Sequence, residues 1–93
     1  MIKDVADILP LSVIMLEAEI EIELNEAMTN WPSFNSAHEG FSVLKEEVDE
    51  LWEHVKVNQR KRDIKAMRKE AIQVAAMAMR FALDVCNETT GRK

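Results

Sequence analysis

The chain has 93 residues, 47% of them hydrophobic and 31% charged, and carries a net charge of −5. That length suits one small domain, and the negative balance argues against sequence-independent binding along a nucleic-acid backbone. Two glycines, two prolines and no tyrosine argue against an all-β domain, whereas the abundant Ala, Leu, Met, Glu, Lys and Arg are strong helix formers, so an all-α fold is expected.

In chain order, residues 1–9 read as a short amphipathic turn or helix. They lack the basic leader of a secretion signal. Pro10 suits the start of a longer helix. "EAEIEIEL" at 17–24 alternates as a strand does, yet Leu16, Ile20, Leu24 and Ala27 also make a helical stripe. A lone strand needs a partner and no other stretch offers one, so a helix over about 11–28 is expected. "TNWPSFNS" at 29–36 interrupts it, since Trp31-Pro32 disfavours helical geometry and Asn and Ser supply turn chemistry.

Ser36 followed by Glu39 matches a capping box. The helix it opens should run through Gly40, a mild weakness, to about Val57 along Phe41, Leu44, Val48, Leu51 and Val55. Residues 58–62 form a polar, basic linker. Asp63 then suits the cap of a last helix ending near Cys86, with 88–93 as a flexible tail. The whole reads as one domain, an antiparallel bundle of about four helices.

Cys86 is the lone cysteine and sits in an apolar run, as a buried small hydrophobe in a reducing compartment would. The most apolar stretch, 71–86, is interrupted by Gln73, Arg80 and Asp84 and falls short of the ~20 apolar residues of a membrane span. A soluble, cytoplasmic protein is expected. Residues 56–69 hold seven of the twelve basic residues against Asp63 alone, a net +6, so the remainder carries −11. Such a block serves as a solvated loop and first helical turn, or as a cationic lip near a phosphate site.

The last helix is apolar on nearly every side: thirteen of residues 71–86 are apolar. It must be covered by other helices, and a 93-residue chain cannot easily do so alone, which points to a second copy. Its exceptions are ordered. Glu70, Gln73, Met77, Arg80 and Asp84 lie at spacings of 3, 4, 3 and 4, one continuous stripe. A charge beside such surface requires a polar partner.

"LKEEVDEL" at 44–51 offers one. Glu47 and Glu50 share a face with His54 one turn on, and Glu46 lies four before Glu50. If the two helices pack antiparallel, Glu47 and Glu50 face Glu70 and Gln73. Like charges so close require protons or cations. An oxygen-only donor set suits Mg2+, with Mn2+ as an alternative.

"EEVDE" at 46–50, then 19 residues, then "EAIQ" at 70–73 resembles the E-E-x-x-E … E-x-x-D signature of the MazG-like, all-α nucleoside triphosphate pyrophosphohydrolases. "WPSFNSAHEGFSVLKEEVDELW" at 31–52 is also similar to small MazG-like proteins of phages and prophages, and the resemblance spans roughly residues 10–88. It implies a helical bundle assembling as a homodimer or homotetramer. It also implies cleavage of nucleoside triphosphates between the α- and β-phosphates, with release of a monophosphate and pyrophosphate. Carried over residue by residue, it makes Glu47, Glu50 and Glu70 magnesium ligands and Glu46 a group that orients or deprotonates the attacking water. The second motif departs at Gln73, which stands where the family has Asp and offers one carbonyl oxygen without the charge.

Substrate contacts are expected from Lys69, Arg80 or the basic linker to phosphate, Arg80 alternatively pairing with Asp84. Trp31 or Phe34 could meet the base, core packing being the commoner role for both. Trp52 and Phe81 read as core or subunit interface. His38 and His54 read as structural or surface groups, and Met67, Met77 and Met79 as core filling. Two rival readings remain: a helical oligomerisation or adaptor module with solvated carboxylates, and a nucleotide- or metal-binding relic without turnover because of Gln73.

Overall fold

The computed structural model describes residues 10–87. Among them are three α-helices and no strand: α1 (Leu11–Asn30), α2 (Ala37–Val55) and α3 (Ile64–Val85), with a 3₁₀ turn at Gln59–Lys61 between the last two. The alternating 17–24 stretch lies inside α1, as the absence of a partner strand requires. The first nine residues and the six-residue tail lie outside the described part, so the fourth helix of the expected bundle is not among these elements. No helix here is long and apolar enough to cross a membrane.

The helix boundaries follow from local chemistry. Pro10 precedes α1 in extended geometry, and its carbonyl accepts from Val13 and Ile14 N–H groups. Trp31 turns extended and ends the helix. Ser36 Oγ accepts from Glu39 N at 3.0 Å and Asp63 Oδ1 from Ala66 N at 3.1 Å, so both predicted N-caps form. The reciprocal half of the capping box goes elsewhere, because the Glu39 carboxylate accepts from Asn35 N and Asn35 Nδ2. At its other end α2 stops at Val55, two residues before the expected Val57. There Arg62 Nη2 donates to the Val55 carbonyl at 2.6 Å, a cation satisfying a helix C-terminus.

α3 is the central element and packs along both other helices. Against α2 it runs antiparallel. Gly40 meets Phe81, Glu47 meets Gln73 and Glu50 meets Glu70, one index rising as the other falls. Against α1 it runs parallel, with Glu19 meeting Arg68 and Ala27 meeting Arg80. An up–down–up order with short connections produces both relations.

The core is thin. Leu24, Phe34, Ile72, Ala76 and Val85 are its buried apolar residues, joined by Arg80 at 3% exposure. Large apolar side chains remain outside it: Leu11, Met15 and Ile22 on one face of α1, and Phe41, Val48 and Trp52 on α2. Trp52 is therefore not core, and Met79 is exposed as well. Cys86, expected to be buried, is exposed because α3 ends one residue before it, beyond the covering helices.

Arg80 is the polar centre of this core. Nε donates to Asp84 Oδ2 at 3.2 Å, Nη1 to Ala27 O at 3.0 Å, and Nη2 to Trp31 O and Pro32 O, both at 2.7 Å. Its guanidinium lies 5.1 Å from the Phe34 ring centroid, while Asp84 also accepts from Phe34 N at 3.1 Å. One side chain on α3 thus satisfies carbonyls at the end of α1 and fixes the 31–34 connection, with the charge paired as burial demands.

Gly40 is more than a mild weakness. A Cβ there would lie 2.8 Å from Phe81 Cδ2 and 2.9 Å from Phe34 Cδ2, so its absence lets α2 approach the aromatic pair.

Two substitutions test this packing. Gly40→Ala should destabilise the chain by about 1–2 kcal/mol in urea unfolding, overpacking outweighing the roughly 1 kcal/mol that Ala gains in helix propensity; a stabilised variant would contradict the close approach. Arg80→Met should cost about 3 kcal/mol, since it removes the charge paired with Asp84 and the donor to three part-buried carbonyls; a loss under about 1 kcal/mol would show that the clamp does not hold the connection.

Candidate functional site

The α2–α3 pairing brings two acidic edges together. Glu47 and Glu50 sit three apart on α2, Glu70 and Gln73 three apart on α3, and each pair shares a helix face. One carboxylate oxygen from each of Glu47, Glu50 and Glu70 lies within 4.8 Å of the other two. Glu47 and Glu70 are half-buried and Glu50 is exposed. The expected convergence from two separate helices is present.

The electrostatics of the cluster follow from that proximity. Glu47 is pushed up from an ordinary 4.5 to about 7, by partial burial first and then by the charges of Glu50 and Glu70, a hydrogen bond with Glu50 and the charge of Glu46. Glu70 is also raised, by burial and then by the charge of Glu50 and a hydrogen bond with it; His54 and Lys69 act in the opposite direction. Carboxyl groups bonded to one another hold a proton between them, the standard response to like charges at close range.

Gln73 has a part that its sequence position did not reveal. With the amide turned so that its nitrogen faces the acids, it donates to Glu47 Oε2 and Glu70 Oε2, both at 3.1 Å. The opposite orientation would set its oxygen against carboxylate oxygens, so the partners decide the assignment. As folded, Gln73 is a donor that ties the two helices' acids together, and it would have to rotate to offer its oxygen to a cation.

Beside the cluster a groove of about 730 Å³ opens between the helices, within the roughly 300–1,000 Å³ typical of small-molecule sites. Glu47 and Gln73 belong to both the cluster and the groove wall, and Glu46 lies along the same wall. Ala76, Met77 and Phe34 supply apolar surface. Phe34 is buried at 5% exposure, whereas Trp31, at 69%, stands at the groove with its ring largely uncovered. Core packing is thus the role of Phe34 and not of Trp31.

Arg80 borders the groove, and of the two roles read for it, pairing with Asp84 is what the fold uses; its donors face inward to the clamp. Lys69 is exposed next to Glu70 and lines a separate, shallower depression with Arg68 and Glu19. The basic block is partly spent on structure: Arg62 caps α2, Arg68 pairs with Glu19, and Lys56 pairs with Glu53 at 2.8 Å. His38 is exposed and His54 is half-buried beside Glu70.

Sequence reasoning missed the contribution of α1. Glu23, Glu26 and Asn30 line the groove. Their signal was available as polar positions flanking the inward stripe of Ile20, Leu24 and Ala27, of which Leu24 is buried and the others half-buried.

Comparison of the chain with protein-family models, with characterised proteins and with solved structures finds no match.

The raised Glu47 fixes a pH dependence. Between pH 4.5 and about 7 the folded chain keeps a proton that the unfolded chain has released, so this group makes stability fall as pH rises through that window. Glu47→Gln should therefore gain in urea midpoint relative to the parent chain as pH goes from 5 to 8 without divalent cation. A difference that stays flat with pH would contradict the buried, crowded carboxyl.

Proposed function

We propose that the protein is a nucleotide pyrophosphohydrolase, a MazG-like enzyme that hydrolyses a (deoxy)nucleoside triphosphate to the monophosphate and pyrophosphate with Mg2+. The observation that carries this reading is the meeting of Glu47, Glu50 and Glu70 from two helices within 4.8 Å, at the edge of a groove large enough for a nucleoside. The paired motifs at 46–50 and 70–73 support it independently of geometry.

The donor set fits the ion. Hard carboxylate oxygens with open approach suit Mg2+, or Mn2+ in its place, either of which keeps waters and binds phosphate oxygens as well. Glu47, Glu50 and Glu70 would hold it, and when bound it would supply charge neutralisation of the polyphosphate and of the transition state. The crowding that raises Glu47 and Glu70 is then useful, because a cation can displace the shared proton and relieve the same repulsion. Gln73 in place of a fourth carboxylate lowers the charge of the site and favours one ion over two.

The chain's own residues supply the rest. Glu46, exposed on the groove side of Glu47, accepts the proton of the attacking water as its oxygen adds to phosphorus. The P–O bond of the α–β bridge breaks and pyrophosphate leaves. Lys69, beside Glu70, offers an ammonium to the departing phosphates. Positioning and charge neutralisation carry most of such a reaction, which explains how an acidic chain of −5 handles an anionic substrate.

Assembly as a homodimer or homotetramer belongs to the same proposal. The uncovered stripes of Leu11, Met15 and Ile22 on α1 and of Phe41, Val48 and Trp52 on α2 are exposed apolar surface of the kind that a second copy covers. With such a thin core, a bundle completed between protomers would add the burial that one chain lacks.

Two measurements test this. Pyrophosphate release should appear across a nucleotide panel with Mg2+ and fall at least about a hundredfold in Glu50→Gln, helical content being unchanged; equal turnover in the variant would overturn the assigned site. Sedimentation at micromolar concentration should give a dimer or tetramer, whereas a stable monomer would refute the assembly.

A further inference from the structure

We propose that the groove beside the carboxylates selects nucleobases bearing an exocyclic amino group (cytosine, adenine or guanine) over uracil and thymine. This rests on the reading above, in which the polyphosphate lies at Glu47, Glu50 and Glu70. A nucleotide so anchored can extend only along the wall that Glu47 and Gln73 share with the groove, toward α1 and the 31–34 connection.

The wall it meets is rich in acceptors. Glu23 and Glu26 of α1 border it, and ionised carboxylates accept hydrogen bonds but donate none. Among the described residues the one Lys or Arg lining the groove is Arg80, whose Nε, Nη1 and Nη2 are already bonded to Asp84 and to the carbonyls of Ala27, Trp31 and Pro32. The remaining side-chain donors on the wall are the Asn30 amide, the Trp31 indole N–H and the Gln73 amide, the last already bonded to Glu47 and Glu70. The apolar floor and the uncovered Trp31 ring accept the face of any base, so discrimination falls to the base edge.

Cytosine, adenine and guanine each present amino hydrogens, which a carboxylate accepts with the strength of a charge-assisted bond. The pairing edge of uracil or thymine sets a carbonyl oxygen on each side of its single N–H. Against Glu23 and Glu26 those oxygens meet negative charge. The same wall disfavours a phosphate, which fixes the direction in which the nucleotide lies.

Calorimetric titration of the full chain with α,β-methylene triphosphate analogues of cytidine, adenosine, guanosine and thymidine, in Mg2+, tests the assignment. The thymidine analogue should bind about tenfold more weakly than the three amino-bearing ones, each compared in the same sugar series. A Glu23→Gln, Glu26→Gln chain with unchanged helical content should narrow that gap below about threefold. Equal affinity for all four analogues overturns the selectivity while leaving the hydrolase reading intact. Inorganic triphosphate binding as tightly as every analogue overturns the groove's role and keeps the cation site. Failure of triphosphate and all analogues to bind overturns both.

Discussion

Crowding of like charge is the constraint from which the candidate site takes its character. Three carboxylates held within 4.8 Å repel one another unless something positive, or a proton, lies between them. The fold responds twice: Glu47 titrates near 7, and the Gln73 amide donates to an acid on each helix. Neither response removes the negative potential. A structural ion-pair network would have set Lys or Arg here, as the chain does elsewhere with Lys45–Asp49 and Arg68–Glu19. Among the described residues no Lys or Arg forms an ion pair with these acids, His54 and Lys69 acting on Glu70 only through space, and the proposed cation site rests on that arrangement.

Holding the acids together demands rigid surroundings, and the chain supplies them away from the cluster. Gly40 lets α2 close onto Phe34 and Phe81, which sets the depth at which Glu47 meets Gln73 two turns further along. Arg80 joins α3 to the end of α1 and to the connection before α2. That single clamp holds the backbone of Trp31 and Pro32 beside the groove. The cost of burying a guanidinium is offset by four hydrogen bonds from its five N–H donors, so its main part is structural. Lys69, by contrast, is exposed next to Glu70.

Much of this could be read from the sequence because it depends on local chemistry. Pro10, Ser36 and Asp63 each announce a helix start, Trp31-Pro32 announces a stop, and spacings of three place Glu47 with Glu50 and Glu70 with Gln73. The meeting of the two acidic edges was read from those spacings on the condition that the helices pack antiparallel, which they do. What stayed hidden depends on partners that a pattern does not name. Backbone carbonyls leave no mark in a sequence, so the clamp role of Arg80 was invisible beyond its pairing with Asp84. An amide can donate or accept, and only the neighbouring oxygens decided for Gln73. Cys86 read as core, and Trp52 as core or subunit interface, because they are apolar, yet whether such residues are covered within one chain depends on where neighbouring helices end. Glu23, Glu26 and Asn30 were overlooked because α1 was judged by its buried stripe alone.

The central claim is that these acids share a divalent cation. Calorimetric titration of the chain with Mg2+ at pH 8 tests it most directly, with Glu70→Gln as the comparison. The account predicts one saturable binding event per chain, weakened at least about tenfold in the variant because one of three charged ligands is lost. Heat indistinguishable from dilution in the parent chain, or equal affinity in the variant, would contradict it.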